Sequence, residues 1–74
     1  MTKERIEKAV EIINYAINNQ ISVKEASVAC GYADTYVKNI KAVVNEKYEN
    51  GTLEDELFTI FNDAYQKYAT KFMT

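Results

Sequence analysis

Apolar residues in the first part of the chain recur at helical spacing. Ile6, Val10, Ile13 and Ile17 stand four, three and four residues apart, and Ala9, Ile12 and Ala16 widen the stripe. The spacing predicts a helix from Lys3 to about Asn19, ended by the polar run Asn18-Asn19-Gln20. Ser22-Val23-Lys24-Glu25 then reads as a capping box, in which the Ser22 hydroxyl accepts from the Glu25 amide and the Glu25 carboxylate reaches back. A second helix should run from there to Cys30, stopped by Gly31, which tolerates a left-handed backbone. Asp34 is the expected N-cap of a third helix, Thr35 to about Glu49, with Val37, Ile40, Val43 and Val44 inward and Asn50-Gly51 closing it. Thr52 is the expected cap of a fourth, Leu53 to about Phe72, whose first turn carries Glu54-Asp55-Glu56 where the helix dipole favours negative charge. With no proline and no sustained alternation of period two, the chain reads as all-α.

The last helix carries two apolar rows. Phe58, Phe61, Tyr65, Tyr68 and Phe72 form an aromatic seam at spacings of three, four, three and four. Leu53, Leu57, Ile60 and Ala64 form an aliphatic row beside it. Either one wide face serves a single core, or the aliphatic row packs inward and the aromatic row meets another chain. The second arrangement is expected, because five large aromatics exposed together would be a liability on a monomer. It predicts a homodimer or higher homo-oligomer joined through this helix.

Composition narrows the chemistry. At 74 residues and 8.5 kDa the chain fits one small domain, expected as a tri-helical unit over 1–49 and an oligomerising helix over 52–74. There is no histidine, one cysteine, and only two glycines, placed twenty residues apart. These absences remove imidazole bases, Cys/His metal sites, disulfides within the chain, and the glycine-rich phosphate loops. The expectation is a binding module rather than an enzyme, with no cofactor and no metal. Cys30 is expected as a small buried hydrophobe, and the six tyrosines as edges of the core. No apolar stretch approaches the roughly 18 residues of a membrane span, and the N-terminus lacks a signal-peptide pattern, so a soluble cytoplasmic protein is expected.

Charge is unevenly spread. Residues 1–20 carry three basic and three acidic groups, residues 21–48 four lysines against three acids, and residues 49–74 two lysines against five acids. The net charge of −2 is thus concentrated near the C-terminus, and the middle of the chain is slightly positive.

That middle segment, Val23 to Ala42, places apolar side chains at Ala26, Cys30, Tyr32, Val37 and Ile40, a small one at Ser27, and glycine at Gly31. In this it resembles the twenty-residue helix-turn-helix pattern of DNA-binding proteins, whose two helices cross closely at the small residue and turn at the glycine. Within that class, Glu25-Ala26-Ser27-Val28-Ala29-Cys30-Gly31-Tyr32-Ala33-Asp34 looks most like the DNA-binding domain of phage terminase small subunits, with Cys30 and Ala33 departing from the Ala and Ser of that family. The resemblance covers fifteen to twenty of the 74 residues. A similar Gly-Tyr/Phe turn occurs in regulators resembling the arabinose-operon activator family, with a longer spacing to the next aromatic pair. The resemblance implies a phage or bacterial context, with either terminase-like DNA recognition or transcription regulation, and duplex DNA as the partner.

In such a unit the third helix enters the major groove, and here its outward positions would be Ala33, Asp34, Thr35, Lys38, Asn39 and Ala42. Asn39 can pair bidentately with adenine, and Lys38 can reach guanine or a phosphate. Thr35 and Tyr36 suit phosphate contacts near the helix start, and Lys24 and Lys41 would be flanking phosphate ligands. With a single arginine in the chain, one copy should bind weakly, and an oligomer would gain by avidity. The rival expectation is a protein-binding adaptor or inhibitor that uses the same helices only as scaffold. DNA binding is favoured if Lys24, Lys38 and Lys41 converge on one rim around Asn39; the adaptor is favoured if Glu25 and Asp34 neutralise it.

Overall fold

The structure, a computed structural model, describes residues 3–72, with side chains from Lys3 to Lys71. Its helices are α1 (Lys3–Asn19), α2 (Val23–Ala29), α3 (Tyr36–Glu49) and α4 (Asp55–Phe72), and there is no strand among the described residues. The all-α reading holds. None of these helices is long and apolar enough to cross a membrane.

α1 is the central element. Its stripe buries Ile6, Ala9, Ile12, Ile13 and Ala16, with Val10 and Ile17 partly covered at the edges. It touches each of the other helices, and α4 most extensively. Val37, Ile40 and Val44 from α3, Ala26 from α2, and Phe61, Ala64 and Tyr68 from α4 complete one core.

α1, α2 and α3 end by the same device. In each, the residue after the C-cap takes positive φ: Gln20 (55°), Gly31 (87°) and Gly51 (72°). The amide that follows donates back to the first residue of the last turn, Ile21 to Ala16, Tyr32 to Ser27 and Thr52 to Lys47. The positive-φ amide itself bonds two residues nearer, which completes a Schellman closure. At Gly31 and Gly51 this conformation carries no Cβ penalty, whereas Gln20 carries one. Gln20→Gly should therefore stabilise the chain by about 0.5–1 kcal/mol after the extra freedom of glycine in the unfolded state is deducted. Thermal unfolding followed by circular dichroism would show a melting temperature raised by a few degrees; a lowered one would refute the argument.

Two expected caps are corrected. Asp34 does not cap α3: the Tyr36 amide bonds the Ala33 carbonyl, so a turn closes first, and Thr35 holds the N-cap position without a side-chain bond. Thr52 does not start α4 either. With Gly51 folding the chain back, the Thr52 hydroxyl donates to the Lys47 carbonyl at 3.1 Å, and α4 begins at Asp55.

The split of α4 into an inner aliphatic and an outer aromatic row is also corrected. Phe61 (3% exposed) and Tyr68 (8%) lie in the chain's own core, while Ile60 is 41% exposed. Phe58 and Tyr65 pack partly against the same core, as do Leu53 and Leu57. One wide face serves one core. The aromatic row takes the side next to α3, where Phe58 stacks on Tyr48 at 3.8 Å between ring centroids. Phe72 closes α4, and its side chain lies outside the described residues.

Candidate nucleic-acid interface

Ser22 caps α2 as its sequence requires, its hydroxyl accepting from the Glu25 amide at 3.1 Å. The neighbouring amide, Val23, donates to the Tyr68 hydroxyl at 3.1 Å, so α4 supplies a second cap from across the molecule. Ser27 is fully buried, and its hydroxyl donates to the Val23 carbonyl at 2.7 Å, which satisfies this buried polar side chain. A larger side chain there would push α2 off its neighbours. Together these contacts hold a seven-residue helix, too short to persist alone, as a rigid brace ahead of α3.

α3 projects from that brace. Thr35, Lys38, Asn39 and Ala42 are all exposed. The Asn39 amide donates to the Thr35 hydroxyl at a long 3.4 Å, an exposed bond that a competing acceptor can replace. From Thr35 to Asn45 the sequence has Lys38 and Lys41 and no acid; the acids of α3 begin at Glu46. The exposed amide and ammonium therefore sit on the half of the helix nearest its N-terminus.

The other expected contact residues spread out. Lys41 is half-buried, its ammonium lying 4.4 Å from the centre of the Tyr65 ring in a cation–π contact. Lys24 is exposed on α2, but Glu25, Val28, Ala29 and Asp34 share its shallow depression. Tyr36 is half-buried and stacks on Tyr32 with ring centroids 4.5 Å apart. Asn39 faces the α1 side, sharing a depression with Arg5, Tyr32 and Tyr36. The three lysines thus do not close a single rim around Asn39, and both acids stand beside Lys24.

Two pattern positions differ from expectation. Cys30 and Tyr32, read as interior, are exposed. The closure at Gly31 turns both out of the core, and Tyr32 gains its apolar contact from the Tyr36 ring instead. The Tyr36 hydroxyl is held above its ordinary pKa, by burial first and by Tyr32 next, against the opposing pull of Arg5 and Lys8. It stays a protonated donor at neutral pH.

Arg5 was given no contact role in the sequence and Tyr32 was read as interior, yet both border this surface. The available signal was that Arg5 is the one arginine of the chain and sits beside a core position, Ile6, of α1. Among the described residues no three acidic or cysteine side chains gather to hold a metal ion. No family model, curated protein or solved structure matches this chain.

Proposed function

We propose that this chain is a small helix-turn-helix protein that binds duplex DNA, with α3 as the helix that enters the major groove. One observation carries the reading: the exposed, acid-free first half of α3, bearing Thr35, Lys38, Asn39 and Ala42, belongs to a helix that packs against α2 and the common core. Lys38 supplies a cation for a guanine edge or a phosphate, and Asn39 an amide of the kind that reads adenine. Tyr36 and Lys41 flank that half on opposite sides, whereas Lys24 stands apart on α2 beside Glu25 and Asp34 and contributes little. Terminase-like recognition and transcription regulation both use such a module, in a phage-infected or bacterial cytoplasm. Binding as a homo-oligomer belongs to the same proposal, through the parts of Phe58 and Tyr65 that the core leaves uncovered.

The test is fluorescence anisotropy with a mixed-sequence duplex at roughly 50 and 200 mM salt, with light scattering on the same samples. Saturable binding that weakens steeply with salt, by a species heavier than one chain, is the expected result. Lys38→Ala should weaken binding on all sequences and lower the salt slope by about one. Asn39→Ala should instead relax sequence preference, by about 1–3 kcal/mol at one base pair. No saturable binding at the lower salt would overturn the DNA reading.

The separation of Lys24, Lys38 and Lys41, with Glu25 and Asp34 beside Lys24, favours the second reading, a protein-binding adaptor, and so does an exposed apolar spot on α2. Val28 is 60% exposed on α2 beside Ala29, framed by Lys24, Glu25 and Asp34. An apolar spot ringed by mixed charge suits a protein surface better than a phosphate backbone.

A further inference from the structure

We propose that the depression between α1 and the start of α3 grips a DNA backbone phosphate between the Arg5 guanidinium and the Tyr32 hydroxyl, on the flank of α3 opposite Lys41. This rests on the reading of α3 as a groove-entering helix. Arg5, Tyr32, Ala33, Tyr36, Asn39 and Ile40 line the depression, and no acid is among them. The stacked tyrosines form a wall. Arg5, Tyr32 and Tyr36 also border a second, adjoining cleft, where Glu4, Glu7, Lys8 and Glu11 join them. On the α3 side the lining of the depression offers an anion Arg5 and two tyrosines with no carboxylate among them.

The two α1 cations on this side are not equivalent. Lys8 is tied to Glu11 at 3.3 Å, whereas Arg5 makes no ion pair among the described residues. Arg5 also has the planar fork that pairs with two phosphate oxygens at once, a geometry an ammonium cannot reproduce. The tyrosines are already ordered by stacking, so a phosphate bonding to Tyr32 costs little further side-chain freedom. Asn39 joins the depression to the exposed face of α3, which sets a phosphate there one short step from a base edge that Asn39 reads. The two flanks then differ in kind. Lys41 is a cation held over an aromatic ring, and Arg5 is a fork that makes no ion pair among the described residues, beside a pair of stacked tyrosines.

The experiment uses the full chain and the same mixed-sequence duplex. Arg5→Gln should raise the Kd roughly tenfold and lower the salt slope by about one. Arg5→Lys should keep the slope while losing affinity several-fold, because charge is retained and the fork is lost. Tyr32→Phe should weaken binding about two- to fivefold at unchanged slope, through one hydrogen bond. Unaltered helicity by circular dichroism is expected for all three, since both residues are exposed. If Arg5→Gln binds like wild type with a full slope while Lys38→Ala is weakened, this inference falls and the DNA reading stands. If the wild-type chain itself does not bind at roughly 50 mM salt, both fall.

Discussion

Phe61→Ala should cost about 3–5 kcal/mol and leave the chain mostly unfolded on modest warming. Phe61 is 3% exposed, and it belongs to the α4 surface that packs on α1, the most extensive contact of the fold. Its ring also lies 6.2 Å from that of Tyr65, the ring on which Lys41 rests. Truncation removes the ring's burial and leaves a cavity that isoleucines of α1 can fill only by shifting the helix. A chain of 74 residues holds roughly 4–11 kcal/mol at the usual stability per residue, so this one change takes a large share. Urea unfolding followed by circular dichroism measures it through the midpoint at constant m-value. A loss below about 1 kcal/mol would mean that the aromatic row lies outside the core after all.

A chain ended after Gly51 should not fold. It would keep every helix of the DNA-binding proposal and lose only α4, yet α4 supplies Phe61, Ala64 and Tyr68 to the one core. Without them part of the buried stripe of α1 opens to water, and α2 loses the Tyr68 hydroxyl that caps Val23. What remains is close to the length at which single-core domains need a staple. The expected readout is low helicity, no cooperative melt and rapid proteolysis. A sharp, reversible melt of this fragment would show that residues 1–51 fold without α4 and would overturn the argument.

The sequence disclosed what short-range chemistry decides. Ser22 and Glu25 lie three residues apart, so their bond is a local matter, and the positive φ at Gly31 and Gly51 follows from the residue type. The apolar stripe of α1 was equally legible, because one helix faces one core. What failed depended on contacts between distant residues. Periodicity locates two adjacent rows on α4 but does not say which one points at α1, and the core lies between them, drawing in Phe61 and Tyr68. Cys30 and Tyr32 match the interior positions of a motif, yet the closure after Cys30 turns both outward. The exposed face of α3, with Lys38 and Asn39, was readable from spacing. Arg5 was not, because only the packing of α1 beside Tyr32 and Tyr36 brings it to Asn39.

The bond from the Val23 amide to the Tyr68 hydroxyl spans 45 residues of chain. Protein synthesis delivers α4 after α1, α2 and α3, so the brace behind α3 forms only when α4 has left the ribosome. Until then the nascent chain carries α1 with its isoleucines uncovered, a substrate for chaperones and proteases. An interrupted product would lack both the Tyr68 cap on α2 and the core contacts of α4, and with them the fixed placement of α3.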